Sequence, residues 1–113
     1  MKTRIELCPR LQLQQPIYIG EILWLEGMGN YTMVYLEDGN KILSSKTLQL
    51  FNRILPDDTF LRVNKNRLIT TKSIDYWEQF GSRTLNIKLL NGEMLKVSRR
   101  RIRFVKAHLR VAA

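Results

Sequence analysis

The chain contains few of the residues that catalysis and cross-linking usually require. Its 113 residues include one cysteine, Cys8, and one histidine, His108. A single cysteine excludes an internal disulfide and a metal cluster built from thiolates, which fits a reducing compartment. A lone histidine is more often structural or exposed than catalytic. We therefore interpret Cys8 as a small buried residue and His108 as a structural or exposed one.

Long apolar segments are also absent. The longest uninterrupted apolar runs, ILWL and MVYL, have four residues, whereas a membrane-spanning helix needs roughly 18 or more. The N-terminal segment MKTRIELCPRLQLQQ lacks the continuous apolar core of a secretory signal peptide. We expect a soluble, cytoplasmic protein that has no membrane segment.

The signatures of nucleotide- and metal-dependent enzymes are missing as well. The chain has no P-loop, no G-x-G-x-x-G and no H-E-x-x-H. GMGN at 27–30 follows a predicted strand without opening a helix, so it indicates a tight turn. Asp57 and Asp58 follow Pro56, a pattern typical of a solvated turn. We expect no enzyme, no metal site and no cofactor.

Positive charge is what the chain has in excess. Its formal net charge is +9 and its isoelectric point is about 10.1. Residues 1–59 have a net charge of −1, and residues 60–113 have a net charge of +10. Such asymmetry within a chain of one-domain length suggests a basic face for an anionic partner such as nucleic acid.

Alternation of apolar and polar residues with a period of two dominates the pattern and predicts strands. YTMVYLEDGNKILSS and TLNIKLLNGEMLKVS each predict a hairpin, around Asp38-Gly39 and around Asn91-Gly92. Both residues of the second dipeptide tolerate the positive φ of a tight turn. Further short strands are expected in RIELCPRLQL, PIYIGEILWLE, FLRV, RLITT and SIDYW.

Two segments have helical spacing instead. SSKTLQLFNRILP predicts a short central helix, with Ser45 or Thr47 as N-cap and Pro56 at its end. Its apolar residues at helical spacing are Leu48, Phe51, Ile54 and Leu55. SRRRIRFVKAHL predicts a C-terminal helix with Ser98 as N-cap. Its apolar face carries Ile102, Val105 and Leu109, and its polar face carries Arg99, Arg100, Arg103 and Lys106. The expected core aromatics are Trp24, Phe51 and Trp77.

The segment RVNKNRL at 62–68 concentrates cations within a strand pattern. Three cations and two asparagines stand between or beside the apolar residues Val63 and Leu68, and no acidic residue is close in sequence. We expect the apolar residues to anchor this segment while its cations and amides face outward, unpaired. Asn and Lys are hydrogen-bond donors that reach phosphates and base edges.

The triplet Arg99-Arg100-Arg101 stands where the C-terminal helix would begin. A helix N-terminus disfavours cations, and three adjacent positive charges repel one another. An anionic partner would remove both costs, since arginine binds phosphate and the guanine edge bidentately. A solvated helix surface is the alternative. Membrane binding is a weaker interpretation, because we expect no bulky exposed aromatics beside the basic segments. Tyr31 is either an edge aromatic or a contact residue.

Three segments together resemble the LytTR-type DNA-binding domain of bacterial transcription regulators. They are ILWLEGMGNYTMVYLEDG at 22–39, SKTLQLFNRILPDDTFLRVNKNRLIT at 45–70 and IKLLNGEMLKVSRRR at 87–101. The most specific element is VSRR after the NG turn. The resemblance extends over about residues 10–107 and implies elongated antiparallel sheets of about ten strands with little helix, so residues 1–113 are interpreted as one domain.

The resemblance also implies double-stranded DNA as the partner. Family members insert loops between strands into successive major grooves and bend the DNA, and their sites are commonly paired direct repeats, so two copies could form a weak dimer on DNA. Mapped onto this sequence, the candidate DNA contacts are Asn30, Tyr31, Asn64, Lys65, Asn66, Arg67, Arg99, Arg100 and Arg101.

The chain departs from the family pattern in two respects. The usual middle loop is close to His-Arg-Ser followed by Val-Asn, whereas this sequence has Asn64-Lys65-Asn66 and then Ile69-Thr70. Lysine in place of arginine favours phosphate binding over bidentate guanine recognition. Family members usually carry a receiver domain or a membrane segment before this domain, and this sequence has neither, so it is either a stand-alone regulator or a fragment of a larger one. Met1 and the strand-like RIELCPRLQL favour the complete small protein.

Two other functions are compatible with the residues alone. An RNA-binding β module would stack unpaired bases on Tyr31 and Tyr35, taken to be exposed beside basic loops. A protein-interaction module would use the basic face to bind an acidic partner.

Overall fold

The computed structural model of the chain describes residues 4–5 and 17–112. These residues form ten strands and two α-helices, so the expected mainly β architecture is confirmed. The strands are β1 (Arg4–Ile5), β2 (Ile17–Tyr18), β3 (Ile22–Met28), β4 (Tyr31–Leu36), β5 (Lys41–Ser44), β6 (Phe60–Asn64), β7 (Arg67–Thr70), β8 (Ile74–Phe80), β9 (Thr84–Leu89) and β10 (Met94–Lys96). The helices are α1 (Leu48–Ile54) and α2 (Ile102–Ala112). The interpretation of Cys8 lies outside the described residues.

All strand pairs are antiparallel, and the described strands form three sheets. A five-stranded sheet has the order β5-β4-β3-β7-β6, a three-stranded sheet has the order β10-β9-β8, and β1 pairs with β2. Because β7 pairs with β3, the β6–β7 hairpin and the β3–β4 hairpin, which are distant in sequence, belong to the same sheet. The principal dimensions are 48 × 29 × 24 Å, so the molecule is longer in one direction, as expected.

The five-stranded sheet lies between two apolar clusters, because successive side chains of its strands face opposite sides. One side contributes residues such as Leu25 and Leu68, which pack with Phe51 of α1. The other side contributes residues such as Leu61 and Ile69, which pack with the three-stranded sheet and α2. Burial of both faces fixes the register, since a slip by one residue would exchange the two faces.

Helix α1 begins and ends at the predicted signals. The Thr47 side chain accepts a hydrogen bond from the Leu50 amide at 3.2 Å, which makes Thr47 the N-cap. The helix ends at Ile54, and its C-cap, Leu55, stands directly before Pro56. Ile54 is 45% exposed, so the apolar face of α1 is narrower than its spacing indicates.

Helix α2 confirms the predicted apolar face, since Ile102, Val105 and Leu109 are buried. The prediction of Ser98 as its N-cap is wrong. A 3₁₀ turn at Arg99–Arg101 precedes the helix, and the Ser98 side chain caps no backbone amide there. It accepts a hydrogen bond from Arg101 Nη1 at 3.4 Å instead.

Among the expected core aromatics, Trp24 and Phe51 are buried, but Trp77 is 37% exposed. The prediction for Trp77 is wrong because β8 is an edge strand of the three-stranded sheet, a position that period-two alternation does not reveal. The two hairpin turns are confirmed, with a positive φ at Gly39 and Gly92 and at no asparagine or aspartate among the described residues.

Candidate nucleic-acid interface

Two hairpin tips meet at one edge of the five-stranded sheet. The turn between β3 and β4 contains Asn30, and the turn between β6 and β7 contains Lys65 and Asn66. Because β3 and β7 are neighbours, the two turns lie side by side, and the Gly27 amide donates to the Asn66 carbonyl at 2.8 Å. The fold therefore brings two of the three predicted contact regions together.

Glycine shapes the β3–β4 tip in two ways. Gly29 has a φ of +64°, a left-handed conformation that glycine adopts at little steric cost. A Cβ on Gly27 would lie 3.3 Å from Cβ and Cδ2 of Leu48, so glycine there lets the start of α1 approach the sheet closely. Met28 and Gly29 are exposed at this tip, together with the predicted contacts Asn30 and Tyr31, and the Tyr31 side chain is 52% exposed.

The β6–β7 tip is held by side chains of its own strand. Asn64 Oδ1 accepts from the Asn66 amide at 2.9 Å, a local bond by which asparagine stabilises turns. Arg62 donates through Nε to the Asn64 carbonyl at 2.8 Å and through Nη2 to the Lys65 carbonyl at 2.7 Å. Lys65 and Asn66 are exposed at the end of this braced turn.

The apolar anchors of RVNKNRL are confirmed, since Val63 and Leu68 are buried. Asn64 differs from the expectation of an outward-facing amide. Its Nδ2 donates to the Lys96 carbonyl at 3.0 Å, and its Oδ1 is bonded within the turn. The Asn64 amide thus joins the tip to β10, while its contact with DNA stays a prediction.

The third predicted region reaches the same edge through the backbone. The Ser98 amide donates to the Val63 carbonyl at 2.9 Å, so the segment that follows β10 runs beside the end of β6. The 3₁₀ turn therefore starts next to the β6–β7 tip. Arg99 and Arg100 are exposed there, and Arg101 is half-buried.

Three of these arginines form a cluster of like charge. Burial lowers the pKa of Arg62 below its usual range, and the charges of Arg101 and Arg100 lower it further. The pKa of Arg101 is also lowered, first by burial and then by Arg100. Within residues 4–5 and 17–112, no carboxylate lies within 4 Å of these guanidinium groups. Because arginine stays charged at neutral pH, a bound anion would relieve this repulsion.

Arg67 does not match the expectation of an unpaired cation. Its guanidinium forms ion pairs with Glu26, at 3.1 Å between Nη2 and Oε2, and with Glu93, and its side chain is 11% exposed. These bonds tie β7 to β3 and to the turn that precedes β10. Arg67 therefore has a structural role, and its assignment as a DNA contact stays a prediction.

Tyr35 belongs to the same network and is not the exposed aromatic that an RNA-binding surface would need. Its hydroxyl donates to Glu26 Oε1 at 3.3 Å, and its ring centroid lies 5.3 Å from that of Trp24. Burial raises the pKa of Tyr35, and the neighbouring Glu26 carboxylate raises it further.

Two residues of this edge were not among the predicted contacts. Arg62 stands between Leu61 and Val63, which are both buried, so the alternation along β6 indicates that its side chain faces the opposite side of the strand. The sequence does not indicate its hydrogen bonds to the carbonyls of the tip, because these depend on the fold. Lys96 is exposed at the end of β10. Because Lys96 follows the buried Leu95 in a strand, the alternation indicates that its side chain is exposed. Its proximity to Asn64 results from the packing of the two hairpins and is not visible in the sequence.

No helix among the described residues is long and apolar enough to cross a membrane. The described residues also contain no group of three or more histidine, cysteine, aspartate and glutamate side chains placed to hold a metal ion.

Comparison with known proteins gives a consistent result. Residues 15–110 match the sequence profile of the LytTr DNA-binding domain. No curated protein matches the chain. A solved structure, the LytTr DNA-binding domain of a methyl-accepting/DNA response regulator from Bacillus cereus, has a TM-score of 0.73 and 20% sequence identity. The alignment covers 96% of this chain and 95% of that one, so the two share a fold.

Proposed function

The chain belongs to the LytTR family of DNA-binding domains, and from this premise we propose that it binds double-stranded DNA sequence-specifically and acts as a cytoplasmic bacterial transcription regulator. The family is defined by DNA binding and not by catalysis. In this proposal the β3–β4 tip, the β6–β7 tip and the turn at Arg99–Arg101 enter the major groove from one sheet edge.

The observation that carries the proposal is the convergence of three loops from distant parts of the sequence on that edge. Two tips are joined by the bond from the Gly27 amide to the Asn66 carbonyl. The third segment is joined to β6 by the bond from the Ser98 amide to the Val63 carbonyl. The same edge carries an arginine cluster that forms no ion pair within 4 Å among the described residues, and Asp57 is the carboxylate that lines the cleft beside it. A surplus of cations over carboxylates is expected of a surface that binds polyanionic DNA.

The residues at this edge suit different roles. Arg100 is exposed and its planar group can bind guanine O6 and N7 bidentately. Lys65 is exposed at a braced tip, and its ammonium suits a phosphate better than a base pair. Asn30 and Asn66 are exposed amides that suit an adenine edge or a phosphate. We assign recognition of a base primarily to Arg100 and contact with the DNA phosphate backbone primarily to Lys65.

Selection of binding sites from a random duplex pool tests the proposal most directly. The full chain should enrich a short sequence, and a mobility-shift titration should show that the enriched duplex binds more tightly than a shuffled duplex at equal salt. We expect the enriched sequence to occur as paired direct repeats, occupied by two copies. Absence of enrichment, together with equal binding of both duplexes, would contradict sequence-specific recognition.

Single-stranded RNA is the second candidate ligand, and one observation favours it. Tyr31 is 52% exposed next to the basic β6–β7 tip, and exposed aromatics stack unpaired bases. Because Tyr35 is engaged with Trp24 and Glu26, the stacking platform has one tyrosine instead of two. Tighter binding of a random single-stranded RNA pool than of the enriched duplex, at equal salt, would favour RNA.

A further inference from the structure

A second basic surface lies along α2, outside the three loops. Four cations line the same groove, Arg99, Arg103, Lys106 and Arg110. Their sequence separations of four, three and four are those of side chains on one helix face. We call these four residues the α2 stripe.

The groove beside the α2 stripe is polar as well as basic. Its volume is about 460 Å³, and Gln79 and Ser82 of the β8–β9 hairpin form the opposite wall. No carboxylate of the described residues lies within 4 Å of a stripe cation. The groove thus presents four positive charges that the described part of the chain does not neutralise.

The groove leads away from the sheet edge. At its start, the Ser98 amide is bonded to Val63, close to the β6–β7 tip. Near its end, His108 Nε2 lies 3.3 Å from Thr71 Oγ1, and Thr71 follows β7 at the end opposite that tip. A rise of about 2.0 Å per residue in the 3₁₀ turn and 1.5 Å per residue in α2 puts Arg110 about 18 Å from Arg99.

The lining favours a phosphate backbone over a protein partner. Protein interfaces are centred on aromatic and apolar anchors, whereas the apolar members of this lining are Ala107 and Ile102, which is 6% exposed. The exposed aromatic of the helix, Phe104, lines a different cleft, beside Arg62 and Arg100. Arginine, lysine, serine and glutamine are residues that hold DNA phosphates.

We propose that the α2 stripe binds the phosphate backbone of the duplex that flanks the base pairs facing the three loops. This inference rests on the proposed function, because Arg99 belongs both to the sheet edge and to the stripe and so makes the two surfaces continuous. About 18 Å of duplex carries roughly ten phosphates on both strands together. Each stripe cation can therefore meet a phosphate of the strand that faces it.

The experiment compares three proteins on two pairs of duplexes. The stripe variant is Arg103→Gln/Lys106→Gln/Arg110→Gln, which leaves Arg99 at the edge intact. The control variant, Lys41→Gln/Arg53→Gln/Lys88→Gln, removes the same charge from positions outside both surfaces. One duplex of each pair is trimmed to the length of the enriched site, and the other extends by about one helical turn of 10 base pairs on each side. The first pair has the enriched sequence and the second has a shuffled sequence.

We expect the stripe variant to lose affinity on the extended duplexes and to bind the trimmed ones like the parent. Each lost phosphate contact lowers the log–log salt slope by about 0.9, so the slope on extended duplexes should fall by roughly 2–3 relative to the parent. The control variant should retain the parent slope. Circular dichroism and thermal melting of the three proteins separate this effect from loss of folding.

The two proposals fail in different ways. A stripe variant that matches the parent on the extended duplexes overturns the inference, and so does an equal loss on trimmed and extended duplexes. If the parent protein binds the enriched and the shuffled sequences equally, only the proposal of sequence-specific binding is overturned. The comparison of trimmed with extended duplexes still tests the α2 stripe, because it is made with both sequences. Failure of the parent to bind any duplex overturns both proposals.

Discussion

At the scale of single residues, arginines that are similar in sequence context have different roles in the fold. Arg67 is 11% exposed and paired with Glu26 and Glu93, whereas Arg100 is exposed beside other arginines. Glu26 and Glu93 are 41 and 26 residues from Arg67 in sequence. The sequence therefore indicated a cation at this position but could not indicate its partners, because the partners come from the neighbouring strand and from another sheet.

Replacement of Arg67 by methionine tests its structural role. Arg67→Met leaves two partly exposed carboxylates without their cation, so we expect a loss of roughly 1–3 kcal/mol in the free energy of unfolding, between the effects for exposed and for buried ion pairs. Urea unfolding measures this loss. Lys72→Met, which breaks the more exposed pair with Glu37, should cost clearly less. Equal costs for the two variants would contradict a special role of Arg67.

Removal of the Arg100 side chain tests base recognition. Arg100→Ala should weaken binding of the enriched duplex by roughly 1–3 kcal/mol and should relax specificity at one base position. Mobility-shift titrations on the enriched duplex and its single-base variants measure both effects. Arg53→Ala, which removes an exposed arginine of α1, should bind like the parent. Unchanged binding by Arg100→Ala would show that Arg100 does not contact the DNA.

Lys65 should behave differently from Arg100. Because an ammonium group is expected to contact phosphate, Lys65→Ala should weaken binding to enriched and shuffled duplexes by a similar factor and lower the log–log salt slope by about 0.9. Titrations of both duplexes at several salt concentrations measure this. A loss restricted to one base pair would show that Lys65 recognises a base.

At the scale of elements, the strands, the helices and two hairpin pairings followed from the sequence pattern, and the long-range strand partners did not. The alternation in FLRV and RLITT correctly predicted β6 and β7. The sequence did not show that β7 pairs with β3 or that β8 is an edge strand, because pairing depends on long-range contacts between chemically similar faces. The same limitation hid the exposure of Trp77 and the bond from Asn64 to the Lys96 carbonyl.

The brace of the β6–β7 tip can be tested as a unit. Asn64→Ala removes the bonds to the Asn66 amide and the Lys96 carbonyl, so we expect a loss of roughly 1–3 kcal/mol in stability, at about 1 kcal/mol for each bond. DNA affinity should also fall, because the tip that carries Lys65 loses its fixed shape. Thermal melting and mobility-shift titration measure the two effects.

Asp38→Ala is the matched control for this prediction. Asp38 Oδ1 accepts from the Asn40 amide at 2.9 Å, so the substitution removes the same kind of turn bond in the β4–β5 turn, at the end of β4 opposite the β3–β4 tip. It should lower stability without lowering DNA affinity at temperatures where the protein is folded. Unchanged DNA affinity in Asn64→Ala would show that the shape of the tip is not needed for binding.

At the scale of the whole molecule, the charge asymmetry of the sequence becomes a spatial one. The net charge of +10 in residues 60–113 includes the β6–β7 tip, the turn at 99–101 and the α2 stripe. Part of the acidic charge of residues 1–59 is engaged in ion pairs, since Glu26 pairs with Arg67 and Glu37 pairs with Lys72. The sequence predicted a basic face, and the fold adds that it extends from the sheet edge along α2.

Salt dependence measures this surface as a whole. If about six of its cations contact phosphates, the log–log slope of the association constant against salt should be about −5 on an extended duplex. Titrations between low and moderate salt, evaluated for the parent and the control variant, measure the slope. A slope near zero would contradict a phosphate-binding face, whatever the affinity.

The hydrogen bond between the Gly27 amide and the Asn66 carbonyl has a consequence for how binding preference can change. Two tips that share a backbone bond cannot be repositioned one at a time, so substitutions in GMGN and in NKN should have non-additive effects on target choice. If one tip were replaced by the tip of a related protein, its backbone would have to pair with a second tip that fits the original partner. We therefore expect that a change of the preferred DNA sequence requires the exchange of both tips together.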